Sequence, residues 1–413
     1  MEQTCYSTQS HYLRSGRIGP HLHSFAKSLV STGYTHLTVN SYIGSVAHFG
    51  WWCDKQDIAI EEIKEKTVDQ FGAHRCGCPG NRIQKFVSKK YLNRVCRFVN
   101  YLQKQGIIKS TGCNPIDRSQ PELAKFRDWL TQNRGLSKHT IDRYERLVNR
   151  LLPALGRDPG IYNADKIRQV VFKEVSRCSR PQAKTIITAL RTYLRFLSTE
   201  GACEPNLVNA VPTIPEWRLS SMPRYLNEDS IERLISSCDT STPHGVRDRA
   251  VLLLLSRLAL RAGDVAAMCI DDIDWFDGTV RVQGKGRREV RLPLPQDVGD
   301  SILEYLENVR PKVQIEKIFL CVNAPYRPFA SSASVSDIVR SALCRAGVEN
   351  APSKGANLLR HSAATMMLRT GATLEGISAV LRHRSLDMTA YYAKVDVKML
   401  QTVTQPWPGG APC

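Results

Sequence analysis

The chain has 413 residues, of which 42% are hydrophobic and 23% charged, a composition typical of a folded globular protein and not of a disordered tail. This length exceeds one compact core, so we expect two or three domains. The formal net charge is +18, from 57 basic and 39 acidic side chains. Such an excess favours a polyanionic partner, because each neutralised phosphate releases counterions. A basic protein without a nucleic-acid role remains the alternative.

The cysteines and the apolar segments indicate the compartment. Thirteen cysteines, an odd number without a disulfide-like spacing, favour free thiols in a reducing cytoplasm. Residues 1–10 are polar and lack the apolar segment of a signal peptide. The strongest apolar run, residues 250–255, is far shorter than the ~20 residues that span a bilayer. We therefore expect a cytoplasmic protein without membrane association.

Two N-terminal segments look like variants of one helical unit. Each has an F-x3-L pair, a T-x3-Y pair and an amphipathic stretch that ends at a glycine. These features lie at Phe25, Leu29, Thr38, Tyr42 and Gly106 in the first segment, and at Phe126, Leu130, Thr140, Tyr144 and Gly201 in the second. The repetition predicts tandem helical modules over residues 20–116 and 119–212, after a tail of residues 1–19.

A linker and two helices are predicted next. Prolines and serines in residues 213–223 favour an extended connection. Asn227 is placed to cap a helix over residues 229–237. A buried helix is expected over about 247–260. Its apolar run, 251–255, could instead form a strand, but the flanking arginines favour the helix.

The clear β region follows. Residues 279–283 and 289–294 alternate apolar and polar side chains on either side of a glycine-rich turn, which predicts a hairpin. The apolar run 318–322 could form a further short strand, and residues 334–402 have a helical pattern. The predicted fold is therefore mainly α with a small β-sheet. Two helical modules precede a mixed α+β domain over residues 224–402, which is followed by a tail over residues 403–413.

Five residues of this last domain carry the chemistry: Arg261, Lys285, Arg360, His383 and Tyr392. Two guanidiniums can hold a scissile phosphate, a lysine and a histidine can move protons, and a phenol can attack phosphorus. Each residue alone has an ordinary explanation, such as a surface arginine, a solvated turn lysine or a core tyrosine. Only their order and spacing indicate a metal-free phosphoryl transfer.

In that order the five residues resemble the catalytic set of the tyrosine recombinase (phage integrase) family. Arg261 matches the first family arginine, and Asp264 matches the acidic residue that follows it, a possible accessory group. Lys285 lies 24 residues after Arg261, inside the predicted hairpin. Tyr392 lies nine residues after His383, at the spacing of the family nucleophile. The resemblance covers about residues 222–400.

Four positions qualify the resemblance. Asn357 stands three residues before Arg360, where the family usually has histidine; an amide can donate a hydrogen bond to phosphate but is neither acid nor base near neutral pH. His361, a common family feature and a possible accessory residue like Asn357, is expected to point elsewhere from its helix and not to replace that histidine. Arg382 stands where a glycine is usual. Tyr391 is one residue too early for the nucleophile, and we expect it to pack or to contact DNA.

The resemblance implies fold, activity and partners. Module 119–212 resembles the family's SAM-like core-binding domain, and the first module looks like a more divergent copy of it. The implied activity is that of a site-specific recombinase or integrase, which cuts and rejoins double-stranded DNA through a 3′-phosphotyrosyl intermediate during integration, excision or transposition of a mobile element. No metal, ATP or other cofactor is implied. The implied assembly on DNA is a homotetramer or a mixture of recombinases.

The same resemblance implies roles for the residues. The two arginines stabilise the phosphorane, Lys285 protonates the leaving 5′-oxygen, and His383 orients the phosphate and assists proton transfer. The cationic pocket is expected to activate Tyr392, whose ordinary pKa is near 10.

Several alternatives remain open. The protein could be a weakened or inactive DNA-binding relative that works with partner recombinases, a DNA-binding protein without catalysis, or a type IB topoisomerase. Asp271, Asp272 and Asp274 are the only carboxylate cluster suited to a metal-dependent nuclease, and acidic turn residues are common at such positions. His74, Cys76 and Cys78 hint at zinc, but a fourth ligand at a suitable spacing is missing.

Overall fold

The computed structural model describes residues 16–74, 87–108, 121–156, 158–215, 222–283 and 289–394. Helices dominate, together with one three-stranded sheet, which confirms the predicted fold class. The described residues form two compact units. The first unit contains those within 1–59, 75–98 and 219–413, and the second contains those within 60–74 and 99–218. The predicted domain bounds stay a prediction.

The regular elements described in the N-terminal half are all helices. Its α-helices are α1 (Gly19–Ser31), α2 (His36–Lys55), α3 (Glu65–Ala73), α4 (Lys89–Lys104), α5 (Pro121–Arg134), α6 (Lys138–Leu155), α7 (Ala164–Val175), α8 (Arg180–Thr199) and α9 (Leu207–Ala210), with 3₁₀ turns at Ile60–Glu62 and Pro159–Ile161. The second unit has an apolar core of buried side chains from α5 to α9, including Phe126, Leu151, Ile186 and Tyr193. No helix in the described ranges is long and apolar enough to cross a membrane.

Local details recur between the two predicted modules. At the start of α2, the hydroxyls of Thr35 and Thr38 lie 3.0 Å apart. At the start of α6, the hydroxyls of Ser137 and Thr140 also lie 3.0 Å apart. Edge-to-face ring pairs recur as well, Phe25–Phe98 at 5.1 Å and Phe126–Tyr193 at 5.2 Å between centroids. These matched details support the predicted duplication.

The C-terminal half places helices around a small sheet. Its elements are α10 (Glu228–Ser236), α11 (Pro243–Arg257), α12 (Ala262–Ala267), a 3₁₀ turn (Ile270–Asp272), β1 (Ile273–Asp274), β2 (Thr279–Gln283), β3 (Glu289–Pro293), α13 (Gln296–Glu304), a π-helical turn (Tyr305–Val309), α14 (Ser332–Arg345), α15 (Asn357–Arg369), α16 (Leu374–Leu381) and α17 (Asp387–Ala393). The strands are antiparallel in the order β1-β2-β3, with Val280 opposite Leu292 and Val282 opposite Val290.

Most predicted elements of this half are confirmed. The Asn227 side chain accepts a hydrogen bond from Ser230 N–H at 3.1 Å, which caps α10. The apolar run 251–255 is helical and buried inside α11, so the strand alternative is wrong. The hairpin forms as predicted, although its turn, residues 284–288, lies outside the described residues.

The possible strand over residues 318–322 is not found. Only Leu320 makes a bridge there, with Pro328. The backbone of the run is engaged elsewhere: Leu320 N–H donates to the Tyr305 hydroxyl at 3.2 Å, and Ile318 C=O accepts from the Arg310 guanidinium at 3.1 Å. An apolar run therefore becomes buried here without joining the sheet.

A small apolar cluster on one side of α15 positions the nucleophile candidate. It consists of buried residues from α15, α16 and α17 and from the segment that follows α11: Ala259, Ala363, Ala364, Leu368, Ile377, Leu381 and Tyr392. Because α17 contributes Tyr392 to this cluster, packing of α17 against α15 and α16 fixes where the phenol lies.

Candidate active site

Arg360 is held by backbone carbonyls. It lies in the second turn of α15 and is only 5% exposed. Its Nη1 donates to Ala259 C=O, and its Nη2 donates to Leu381 C=O. The pKa of Arg360 is lowered to about 10, mainly by burial and to a smaller extent by the neighbouring Arg261 and Arg382. The guanidinium therefore remains cationic at neutral pH, in a fixed orientation.

Arg261 shares one of those carbonyls. Its Nη2 donates to Leu381 C=O at 3.2 Å and to Arg382 C=O at 3.1 Å. Both carbonyls end α16, where the helix dipole places partial negative charge. The Nη1 atom of Arg261 is buried and has no hydrogen-bond partner among the described residues. The end of α16 thus brings the two predicted arginines together and leaves donor capacity for an anion.

The backbone conformation of Arg382 is one that favours glycine. Arg382 caps α16 in the left-handed conformation with φ +53°, which glycine adopts without strain. Its side chain is 4% exposed and forms a 2.5 Å ion pair with Asp264. Asp264 also accepts from Arg261 N–H at 3.3 Å. Asp264 therefore connects the start of α12 to the end of α16.

We expect Arg382→Gly to destabilise the protein despite removing backbone strain. The left-handed conformation costs an arginine about 1–2 kcal/mol, whereas breaking a buried ion pair costs about 3–5 kcal/mol. Urea unfolding should show a net loss of roughly 2–3 kcal/mol. The double variant with Asp264→Asn should lose less than the two single losses added together. Strict additivity of the two losses would show that the ion pair contributes nothing.

Tyr392 lies in α17, is 2% exposed, and contacts a histidine. Its hydroxyl lies 2.7 Å from Nδ1 of His361. The expectation that His361 points elsewhere is therefore wrong. Successive residues of a helix point about 100° apart, so His361 and Arg360 lie on different faces of α15. The helix α17 packs against the face that carries His361, and the sequence does not show where α17 lies.

Burial makes the Tyr392 phenol harder to deprotonate. It raises the pKa of Tyr392 to about 12, although Arg360 acts in the opposite direction. In the protein without DNA, burial therefore outweighs the lowering of this pKa by the cationic pocket. Removing the phenolic proton requires a group that accepts it.

His383 is fixed by the helix of the nucleophile candidate. Its Nδ1 lies 2.9 Å from the Thr389 hydroxyl, three residues before Tyr392 on α17. Burial, with smaller contributions from Arg360 and Arg261, lowers the pKa of His383 to about 4. The imidazole is therefore neutral near pH 7 and can serve as a hydrogen-bonding group.

These side chains line an open cleft of about 440 Å³. The cleft is lined by Arg261, Ala262, Gly263, Ser332, Ser336, Gly355, Ala356, Asn357, Arg360, His361, His383, Met388 and Tyr392. Asn357 begins α15 and is exposed at this cleft. Lys285 lies outside the described residues. Four of the five predicted catalytic residues therefore share one cavity with the predicted Asn357 and His361.

The rings of Tyr391 and Tyr392 meet edge to face at 5.7 Å between centroids, but their hydroxyls have different partners. The Tyr391 hydroxyl donates to Met222 C=O at 2.7 Å. Four residues after Met222, the chain also contacts α15: Leu226 N–H donates to the Ser362 hydroxyl at 2.8 Å. Of the two roles expected for Tyr391, packing or DNA contact, the hydrogen bond to Met222 favours packing.

The residues considered for metals have other contacts. Asp272 accepts from Cys269 N–H at 2.8 Å and from Arg281 at 3.2 Å, and Asp274 accepts from Asp277 N–H at 3.0 Å. In the parts of the chain that the structure describes, no group of three or more His, Cys, Asp or Glu could hold a metal ion. Of the three possible zinc ligands, His74, Cys76 and Cys78, both cysteines lie outside those parts.

Comparison with known proteins identifies the class. The phage integrase family model matches residues 224–399. The chain is 35% identical over 401 residues to y4rA of Sinorhizobium fredii, which carries the name integrase/recombinase, and the match covers 96% of each chain. It is 28% identical over 290 residues to the tyrosine recombinase XerD of Listeria monocytogenes, covering 68% of this chain and 96% of XerD. Its fold resembles a lambda integrase(75–356) dimer bound to a COC′ core site, with a TM-score of 0.52 and 19% identity over 66% of this chain and 94% of the integrase.

The chain belongs to the phage integrase family, the tyrosine recombinases. The expected activity, site-specific DNA recombination by strand exchange, is confirmed at the level of the family.

Proposed function

We propose that Tyr392 attacks a DNA phosphate in the 440 Å³ cleft while Arg261 and Arg360 hold its oxygens. The observation that carries this proposal is the convergence of both guanidiniums on Leu381 C=O, beside the buried phenol. Guanidiniums fixed before the reaction stabilise developing negative charge without a reorganisation cost. Attack forms a 3′-phosphotyrosyl bond and releases a 5′-hydroxyl. The 5′-hydroxyl of a partner strand then reverses the step.

The remaining roles follow from charge state and position. Lys285 is assigned the general acid toward the leaving 5′-oxygen, on the family resemblance of its place in the hairpin. His383, neutral and fixed on Thr389, orients a phosphate oxygen through its other ring nitrogen. Asn357 at the cleft donates a hydrogen bond in place of the usual histidine, and Asp264 positions Arg261 and Arg382. An active enzyme is favoured over an inactive relative because the four described members of the proposed set, Arg261, Arg360, His383 and Tyr392, line one cleft.

Double-stranded DNA is also the proposed ligand of a basic cleft in the second unit. The cleft, of about 580 Å³, lies between α6 and the start of α8 and is lined by His139, Arg143, Arg146, Leu147, Arg150, Ser179, Pro181, Gln182 and Thr185. Arg143 donates to the Thr185 hydroxyl at 3.1 Å, which orients its guanidinium within the cleft. Three arginines on one helical face suit successive phosphates.

We expect the double variant Arg143→Gln/Arg146→Gln to bind DNA more weakly and with a smaller salt dependence. Each lost phosphate contact should reduce the slope of log K against log salt by about 0.9, so roughly 1.8 in total. Fluorescence anisotropy on one duplex at several salt concentrations measures this slope. The control, Lys125→Gln/Arg134→Gln, removes two exposed charges from α5. An unchanged slope in the first double variant would place the phosphate contacts elsewhere.

We propose the predicted architecture for the whole chain. It comprises a tail of residues 1–19, helical modules over 20–116 and 119–212, a linker over 213–223, the catalytic domain over 224–402 and a tail over 403–413. Assembly on DNA is proposed as a homotetramer or with sister recombinases. Solved relatives support such assembly, since lambda integrase has been crystallised as a tetramer bound to a Holliday junction. A DNA substrate favours the cytoplasm, and the buried Cys53 and Cys238 are free thiols, as a reducing compartment would keep them.

The function is tested by recombination in the absence of metals and nucleotides. Duplexes from the DNA that flanks the gene are incubated with the protein in EDTA without ATP, and junctions are detected by amplification and sequencing. Reciprocal recombinants are expected. Relaxation of supercoiled plasmid without any recombinant junction would favour topoisomerase activity instead.

A further inference from the structure

His361 is placed to act directly on the nucleophile. Its ring contacts the rings of both tyrosines of α17. Its Nδ1 is 2.7 Å from the Tyr392 hydroxyl. The ring centroids are 5.7 Å apart for His361 and Tyr392, and 6.2 Å apart for His361 and Tyr391. No other side chain in the described ranges has a recorded hydrogen bond to the phenolic oxygen.

We propose that His361 is the general base that removes the proton from Tyr392, in this chain whose usual histidine position is occupied by Asn357. The proposal rests on the proposed function, because it assigns a proton acceptor to the same attack. Asn357 cannot perform this role, since an amide does not accept a proton near neutral pH. The chain therefore has an amide, Asn357, at the usual histidine position and a different imidazole, that of His361, in contact with the Tyr392 hydroxyl.

The charge state of His361 suits a base. Burial lowers its pKa, and the adjacent Arg360 lowers it further. The imidazole is therefore neutral at pH 7, and with its hydrogen on Nε2 it presents the Nδ1 lone pair to the phenol. The 2.7 Å contact is compatible with either ring tautomer, and the role as base requires the tautomer whose hydrogen is on Nε2.

The groups that face His361 set its response to protonation. They are Arg360 on its own helix, Tyr391 and Tyr392 on α17, and His383, whose pKa His361 also lowers. No carboxylate among the described residues has a recorded contact with His361. A bound phosphate brings negative charge to Arg360, and this charge favours the imidazolium that forms when the proton moves.

The step balances as follows. The Oη–H bond of Tyr392 breaks and its proton moves to Nδ1 of His361. The Oη atom forms a bond to phosphorus as the bond from phosphorus to the 5′-oxygen breaks, and that oxygen takes a proton from Lys285. In the reverse step the partner 5′-hydroxyl gives its proton to Lys285 as its oxygen bonds to phosphorus. The bond from phosphorus to Oη breaks, and His361 returns its proton to Tyr392, which restores the enzyme.

The test measures single-turnover cleavage from pH 5.5 to 9.5 with saturating full-length protein, on a nicked duplex from the DNA that flanks the gene. His361→Asn keeps an amide near the position of Nδ1 but cannot take a proton; His361→Gln is the second variant. At pH 7 we expect a loss of about 10²-fold or more. The wild-type rate should level off above the pKa of His361, whereas the variants should still rise toward alkaline pH as the phenol ionises without a base. DNA affinity and circular dichroism serve as folding controls.

A second substrate distinguishes loss of the general base, His361, from loss of the general acid, Lys285. A 5′-bridging phosphorothiolate releases a thiolate, which needs no protonation. It should restore cleavage by Lys285→Ala and leave the His361 variants defective. Cleavage by His361→Asn within threefold of wild type and with the same pH profile would overturn the proposal, as would full restoration of that variant by the phosphorothiolate. Absence of cleavage by wild type, or its persistence in Tyr392→Phe, would overturn the proposed function and this assignment with it.

Discussion

Tyr392→Phe is expected to abolish the covalent protein–DNA adduct while leaving the fold and DNA affinity intact. The substitution removes only the hydroxyl of a side chain that is 2% exposed, so the apolar cluster around α17 keeps its packing. Loss of a nucleophile lowers the rate by on the order of 10⁴-fold or more. Denaturing gel analysis of nicked duplexes measures the adduct. An adduct at wild-type level in the variant would assign the nucleophile elsewhere.

Tyr391→Phe is the matched control for this variant. It also removes one phenolic hydroxyl from α17, but that hydroxyl donates to Met222 C=O and not to a group in the cleft. Loss of one partly exposed hydrogen bond costs about 0.5–1.5 kcal/mol of stability. The adduct should therefore form at a rate within a few-fold of wild type.

Arg360→Lys is expected to lower the cleavage rate by about 10²–10³-fold, the usual cost of losing one fixed donor to a developing anion. A lysine keeps the positive charge but cannot donate to Ala259 C=O and Leu381 C=O while also presenting a planar fork to phosphate. Urea unfolding should also show a loss of about 1–3 kcal/mol, because a buried carbonyl loses its donor.

A surface substitution provides the control for Arg360→Lys. Arg340→Lys changes an exposed arginine of α14, whose ion pair with Asp337 lies at the surface. It should alter neither the cleavage rate nor, beyond about 0.5 kcal/mol, the stability. Wild-type cleavage by Arg360→Lys would show that a positive charge suffices and that the orientation set by the two carbonyls has no catalytic role.

The parts that the sequence predicted well depend on short-range pattern. The Asn227 cap, the hairpin register and the amphipathic helices follow from side chains a few residues apart. The catalytic set came from a resemblance in order and spacing to the tyrosine recombinases, and it stays a prediction, supported by the cleft that four of its five residues line. Arg261 and Arg360 do meet, at Leu381 C=O.

The parts that the sequence did not predict depend on packing between distant elements. The direction of His361 is decided by where α17 lies against α15, and the local helical pattern carries no information about that. The raised pKa of Tyr392 has the same origin, because burial outweighs the nearby guanidinium. The run 318–322 has the composition of a strand, but its backbone groups are taken by Tyr305 and Arg310.

The central claim is that the phenol of Tyr392 forms the bond to DNA. The most direct test is to trap the wild-type protein on a nicked duplex, digest protein and DNA, and locate the nucleotide-modified residue by tandem mass spectrometry. Because Tyr391 and Tyr392 are adjacent, the fragment ions must separate them. We predict that the 3′-phosphonucleotide is carried by Tyr392. A modification on Tyr391 or on any other residue would contradict the account.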